Sequence, residues 1–373
     1  MTTSAAPPRL LSVDALRGIT VAAMVLVNNP GSWSHVYWPL RHAEWDGFTP
    51  TDMVFPFFLF IVGVSIPLAL GARIERGEDG LLPRVLRRSL AIFGLGLLLQ
   101  ALPFFHLATL RIPGVLQRIA VCYLLAALPV VLTGGARGWR TQAVVTGVLL
   151  VGYWLVMTRV PPPGGVAGDL SPAGSLAAYV DRRVLGPHIW QGAKVYDPEG
   201  ILSTLPATAT TLLGVLTGHW LRGDRPARRI AGGLVAGGLV ASAIGWGWGL
   251  TFPVNKSLWT SSYALLMSGL CALALAACYW PVEVRGRRRW AAPFVVLGVT
   301  ALPLFFLSSF MARLLVLIRV GPESTRLQAW LFSHLFAPWA TPVNASLAYA
   351  LAYVALWWGL MWALNRSGIR LRV

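Results

Sequence analysis

The chain is 373 residues long, 56% hydrophobic and only 12% charged, whereas a soluble globular protein carries about 25% charged residues. Its formal net charge of +17 does not point to nucleic acid, because the basic residues form short clusters between apolar runs instead of one soluble face; charge so placed sets membrane orientation. All but two of the 31 basic residues are Arg, which together with abundant Ala, Gly and Pro reflects GC-rich coding, not mechanism. Cys122, Cys271 and Cys278 lie inside apolar runs without CxxC spacing, so neither disulfides nor a metal cluster is expected.

A bilayer core takes about 20 apolar residues per helix. Stretches of that kind recur along the chain at 11–29, 50–71, 86–104, 113–133, 141–160, 203–221, 230–252, 259–280, 292–316 and 344–364. They predict an all-α, polytopic integral membrane bundle of about ten transmembrane helices, a single domain over 1–373. Residues 1–9 lack the apolar core and small-residue cleavage site of a signal peptide, so the run from about Leu10 is expected to be a retained helix. Alternate loops differ in charge. One set holds Arg73, Arg76, Arg84, Arg87 and Arg88, then Arg137 and Arg140, then Arg222, Arg225, Arg228 and Arg229, then Arg285, Arg287, Arg288 and Arg289, then Arg366, Arg370 and Arg372. The positive-inside rule puts that set, and both termini, in the cytoplasm.

The other loops are longer: roughly 30–49, 161–202 and 317–343. The middle one opens on Pro161-Pro162-Pro163-Gly164-Gly165, a stiff then flexible linker. It continues into an expected short helix, Ser171 to Val184, with Ser171 as cap and Pro172 at the first position. That loop could lid a cavity. Signatures of soluble enzymes (GxxxxGK[ST], HExxH, GxSxG) are absent from the sequence. Gly245-Trp-Gly-Trp-Gly249 lies within an apolar run and suits close helix packing.

Polar residues at membrane depth or at its edge are costly, so each is a functional candidate. Asp14 and Arg17, one turn apart at the cytoplasmic edge of the first span, read either as a self-neutralising pair or as a holder of an anionic ligand. Asn28-Asn29-Pro30 leads into His42-Ala-Glu-Trp45-Asp-Gly47-Phe-Thr49-Pro-Thr-Asp52. There Thr49-x-x-Asp52 with Pro50 is a capping box for the second span, and a helix N-terminus beside His42 offers N–H groups and positive potential. Gln117 and Arg118, just inside the fourth span after Arg111-Ile-Pro-Gly, either meet a partner or water-filled cavity or snorkel outward. Asp197-Pro-Glu199-Gly200 precedes the sixth span, with Asp197 and Pro198 forming a good helix start. Asn255, Lys256 and Trp259 precede the eighth, and Lys256 is one of only two lysines.

These segments together resemble the heparan-α-glucosaminide N-acetyltransferase family, part of the transmembrane acyltransferase superfamily. The resemblance runs through LSVDALRGITVAAMVLVN (11–28), HAEWDGFTPTDMVFPFFLFIVG (42–63), RIPGVLQRIAVCYL (111–124), DPEGILSTLPATATTLLGVLTG (197–218) and PVNKSLWTSSY (253–263). It weakens beyond residue 263, where Gly298-Val-Thr300 offers Thr at the place of a family Asn. It implies a reaction: cytosolic acetyl-CoA donates its acetyl group to the amine of a glucosamine-type sugar or glycan across the membrane, without a metal. The family's essential His falls on His42, its active-site Asn on Asn28 and a nearby Asp on Asp52. Its cytoplasmic charged pair falls on Asp14 and Arg17, with Gln117 and Arg118 further candidates for the acetyl-CoA side. Trp45, Asp197, Glu199, Asn255, Lys256 and Trp259 are the candidates for the acceptor side. His42 acts either as general base or as acyl carrier, direct transfer being preferred. Lipid contact, a homodimer, a bacterial inner membrane and no nucleic-acid partner complete the expectation. A transporter of amino sugars or oligosaccharides is the rival, since polar groups in Gly/Pro-interrupted helices suit it equally.

Overall fold

The computed structural model describes residues 9–322 and 324–368; Arg370 and Arg372 of the basic tail, and residues 1–8, lie outside the described residues. In chain order the α-helices among the described residues are α1 (Leu11–Asn28), α2 (Val54–Glu75), α3 (Leu81–Ala101), α4 (Val115–Leu132), α5 (Trp139–Arg159), α6 (Leu176–Leu185), α7 (Thr204–Arg222), α8 (Ala227–Trp248), α9 (Ser261–Tyr279), α10 (Ala292–Val299), α11 (Ala301–Leu317), α12 (Leu327–Leu335) and α13 (Pro342–Arg366). A two-residue hairpin, β1 (Arg319–Val320) with β2 (Thr325–Arg326), is the one sheet among them. Helices dominate because hydrocarbon offers backbone groups no partners, so each span closes its own hydrogen bonds. Hydroxyls inside the spans do likewise: Ser65 Oγ donates to Ile61 O at 2.7 Å and Ser268 Oγ to Ala264 O at 2.7 Å.

All ten expected stretches are helical. Among the described residues seven helices are long and apolar enough to cross a membrane: α1, α2 with its leading 3-10 turn, α4, α5 with its leading turn, α8, α9 and α13. The count reaches eight if α10 and α11, bent by 67° at Thr300, form one broken span. α3 and α7 fall short on apolarity. α3 starts at Leu81, not near residue 86, so Arg84, Arg87 and Arg88 belong to its first turns and not to a loop; α7 is rich in threonine and ends on His219 and Arg222. Arg228 and Arg229 likewise sit in the first turn of α8. The hairpin and α12 lie in the long loop at 317–343.

Two local expectations fail. α6 begins at Leu176 and its cap is Ser175, whose Oγ accepts from Ala178 N at 3.3 Å. Ser171 is instead used in a turn, its N–H donating to Asp169 Oδ1 at 2.8 Å and its Oγ accepting from Gly174 N at 3.1 Å. α7 begins at Thr204, seven residues after Asp197, because the Asp197 carboxylate is spent on a tertiary ion pair.

The chain forms two compact units. Among the described residues one comprises 9–10, Trp45–Gly47 and Pro56–Gly286; the other comprises Leu11–Glu44, Phe48–Phe55 and the described chain from Arg287 to residue 368. In the first unit, α2 and α7 cross backbone against backbone: a Cβ on Gly63 would sit 1.9 Å from Thr211 O, and one on Gly214 2.1 Å from Phe60 O. Two apolar clusters fill it. Ile66, Val85, Ala126, Val130 and Leu212 form the first; Tyr153, Met157, Leu176, Phe252 and Leu258 form the second and seat α6. In the second unit α1 crosses α10 equally closely, a Cβ on Gly18 meeting Phe294 O at 1.8 Å and one on Gly298 meeting Asp14 O at 2.0 Å.

Candidate active site

His42 follows a 3-10 turn at Trp38–Leu40, and Asp52 lies in the 3-10 turn Pro50–Met53 that leads into α2. Pro50 presets the φ angle of that turn, and Thr49 and Asp52 face each other as the expected capping box. Thr49 N donates to Asp52 Oδ2 at 3.0 Å and Ala43 N to the same oxygen at 2.9 Å. Oδ1 then meets His42 Nδ1 at 2.6 Å. One carboxylate therefore both closes the capping box and meets His42.

The asymmetry of this pair defines its chemistry. The Asp52 side chain is 1% exposed and that of His42 is 50% exposed. A carboxylate only accepts hydrogen bonds, so the Nδ1 facing it carries the proton, and the neutral imidazole has its lone pair on Nε2. The supporting loop is pinned within the same unit. Thr51 Oγ1 donates to Pro39 O at 3.0 Å, Arg41 Nε to Val36 O at 2.7 Å, and Gln328 Nε2 to Gly31 O at 2.8 Å. The Tyr37 hydroxyl donates to Asn344 Oδ1. An imidazole with a fixed tautomer and an open face can take a proton from an attacking nucleophile or itself attack a carbonyl.

Asn28 is exposed, the last residue of α1. Asp14 and Arg17 do pair, at 2.9 Å, and Arg17 Nη1 also donates to Gly298 O at 3.3 Å, so the pair fastens α1 to the end of α10. Thr300, at the break between α10 and α11, donates to Val296 O at 3.0 Å.

The acceptor-side candidates belong to the other unit, where most are held in structure. Arg111 grips Asp197 through Nε at 2.9 Å and Nη2 at 2.5 Å, and the same Nη2 reaches Glu199 Oε2 at 2.5 Å. Buried Arg118 donates to Pro198 O at 2.9 Å, and through Nη2 to Gly200 O at 3.0 Å and Ser203 Oγ at 2.5 Å; its Cζ lies 5.2 Å from the Trp259 ring centroid. It is turned inward onto the turn before α7 and does not snorkel. Gln117 is equally buried, its Nε2 without a hydrogen-bond partner. Trp259 is 1% exposed with its indole N–H on Thr210 Oγ1 at 3.1 Å, so it presents no ring face to solvent. Asn255 is fully buried: Nδ2 donates to Asp46 Oδ1 at 3.1 Å, and Oδ1 accepts from Leu258 N at 2.8 Å. Lys256, next in the same turn, is partly exposed. Trp45 is half-buried, its indole N–H on Leu170 O at 3.0 Å and its ring edge-on to Tyr196 at 5.1 Å.

Asp181 escaped the sequence reading. It is 2% exposed, accepts from Ile201 N at 2.9 Å and Asp197 N at 3.2 Å, and burial pushes its carboxyl up to about 6. An acidic residue in a short polar helix carries no local sign of such a partner.

The comparisons with known proteins agree. The family model described as heparan-alpha-glucosaminide N-acetyltransferase, catalytic, matches residues 9–247. The human heparan-alpha-glucosaminide N-acetyltransferase is 34% identical over 358 residues, covering 80% of this chain and 52% of its own length. The mouse protein of the same name is 30% identical over 356 residues, covering 79% and 52%. The chain thus spans about half the length of the curated relatives it matches. A multi-pass helical chain with His42 on Asp52 at the mouth of α2, matched by that model over most of its length, belongs to the heparan-alpha-glucosaminide N-acetyltransferase family.

Proposed function

We propose that the protein moves an acetyl group from cytosolic acetyl-CoA to the amine of a glucosamine-type sugar on the far side of the membrane. One observation carries the reading: an enclosed Asp52 holds a half-exposed His42 by Nδ1 at 2.6 Å, which makes Nε2 the ring nitrogen that exchanges a proton in the reaction. The acceptor amine attacks the thioester carbonyl carbon, and its proton passes to His42 Nε2. The tetrahedral oxyanion collapses, the C–S bond breaks, and the thiolate leaves and takes up that proton. Asn28 is the candidate donor to the oxyanion. Asp52 fixes the tautomer and stabilises the imidazolium that forms. Direct transfer needs only this base; an acetyl-His42 intermediate would use the same lone pair as nucleophile.

The alternation of Arg clusters supports an orientation with both termini in the cytoplasm. It puts Asp14 and Arg17 on the side from which acetyl-CoA arrives, so Asp14→Ala and Arg17→Ala should each raise KM for acetyl-CoA several-fold. If they lower only protein yield, the pair is a clasp between α1 and α10. Purified protein incubated with acetyl-CoA and a panel of amino sugars, with mass detection, tests the reaction itself. N-acetylated sugar with stoichiometric free CoA thiol is expected. Unmodified sugar accumulating inside vesicles, without thiol release, would replace the enzyme by a transporter.

A further inference from the structure

An open groove of about 270 Å³ runs along α7, α8 and α9 within one unit, lined by Leu216, Trp220, Gly233, Gly237, Ala241 and Ala272 among others. Its hydroxyls are turned away: Thr217 Oγ1 donates to Leu213 O at 2.9 Å and Ser268 Oγ to Ala264 O at 2.7 Å. The wall is therefore apolar in effect, on helices that include two of membrane length.

One end of the groove is charged. Gly233 has no Cβ, and one added there would sit 2.3 Å from the Trp220 ring; the ring therefore lies flat on α8, its N–H on Ile230 O at 3.1 Å. The Arg225 guanidinium stacks over that ring at 4.1 Å. Arg228 and Arg229 follow within one turn in α8, and all three arginines are exposed. Among the described residues no carboxylate lies within ion-pair distance of them, and Asp224 offsets one charge only.

We propose that this groove is a binding site for one membrane phospholipid with an anionic headgroup, an acyl chain lying on Gly237 and the phosphate on Arg225, Arg228 and Arg229. Charge complementarity favours this occupant: three exposed arginines at one end and an apolar wall beyond them match an anionic headgroup and an acyl chain. Each basic side chain at a membrane surface favours anionic over neutral lipid. The proposal is independent of acyl transfer.

A Cβ added at Gly237 meets nothing within 4 Å, so Gly237→Phe fills the groove without disturbing helix packing. The protein is extracted from vesicles of equimolar phosphatidylglycerol and phosphatidylcholine, and retained lipid is counted by native mass spectrometry. Expected is one phosphatidylglycerol per chain, preferred on the order of tenfold, lost in Gly237→Phe. The combined Arg225→Gln, Arg228→Gln and Arg229→Gln variant should keep a lipid but lose the preference. Unchanged retention in Gly237→Phe overturns the site, equal retention of both lipids by the unmodified chain overturns the headgroup, and a dimer that dissociates in Gly237→Phe assigns the groove to a second copy instead.

Discussion

Asp52 and Asp197 are enclosed to the same extent, with side chains 1% and 0% exposed, and each accepts backbone N–H groups as well as a side-chain donor. They differ in the donor. Asp52 holds an imidazole whose side chain is 50% exposed, and Asp197 holds a guanidinium that is 19% exposed and shared with Glu199. A guanidinium does not give up its proton in a protein, so the Arg111 cluster can only hold chain segments together. An imidazole can take up and release a proton, so under the proposed function the same carboxylate geometry serves proton transfer. Burial of an acid is thus common to framework and chemistry, and the partner decides between them.

The sharpest way to break this comparison is to exchange the effects of the two partners. His42→Ala removes the proposed base while Asp52 still closes the capping box before α2 through Thr49 N, so we expect acyl transfer to fall by about 10²- to 10⁴-fold with expression and thermal unfolding unchanged. Activity equal to that of the unmodified protein would remove His42 from the mechanism. Arg111→Leu should do the reverse. It leaves Asp197 and Glu199 enclosed without their cation, which costs about 3–5 kcal/mol, seen as a lowered unfolding temperature in detergent, with kcat per folded molecule retained. A kcat loss without loss of stability would move Arg111 from framework to chemistry.

The next effect comes from Asp181, which packs beneath the turn that Asp197 and Arg118 hold. Burial raises its carboxyl from 3.8 to about 6, against the lowering pull of the Ile201 and Asp197 N–H groups. A carboxyl raised on folding binds more protons folded than unfolded between those values, so stability falls as pH rises through that window and recovers on acidification. The change is about 3 kcal/mol. Hydrogen exchange over residues 176–203, corrected for intrinsic rate, should show more protection at the acid end of the window, and Asp181→Asn should flatten the dependence. Protection that rises with pH would reverse the assignment.

What the sequence could and could not reveal follows the range of each interaction. The ten helical stretches are legible because lipid forces every span to satisfy itself locally. The His42–Asp52 pair is legible because its members are ten residues apart and the capping box between them is a local rule. Arg111 meets Asp197 across 86 residues and Asn255 meets Asp46 across 209, and nothing in either segment announces the other. Asp197 followed by proline has the local form of a helix start, but tertiary pairing overrides it. Arg118, Asn255 and Trp259 stand out as polar or aromatic groups at a membrane edge, and that cue cannot separate a ligand contact from a satisfied framework group. Ser175 displaced Ser171 as the cap of α6 because Ser171 and Asp169 close a turn of their own.

The smallest effect expected is at Trp45, and it tests where framework ends. Trp45 comes three residues after His42 in the chain, yet its indole N–H is on Leu170 O and its ring is edge-on to Tyr196, both in the loop that carries α6. Trp45→Phe keeps an aromatic ring and deletes only that N–H, so as an anchor it costs about 1 kcal/mol of stability. Were the ring a platform for the acceptor sugar, Phe would largely serve and Trp45→Ala would raise KM for the amino sugar with little change in kcat. As an anchor of the loop, Trp45→Ala instead lowers kcat and loosens hydrogen-exchange protection across residues 161–202 together. The anchor outcome is expected, because one edge of the ring is taken by Tyr196 and the N–H is already satisfied.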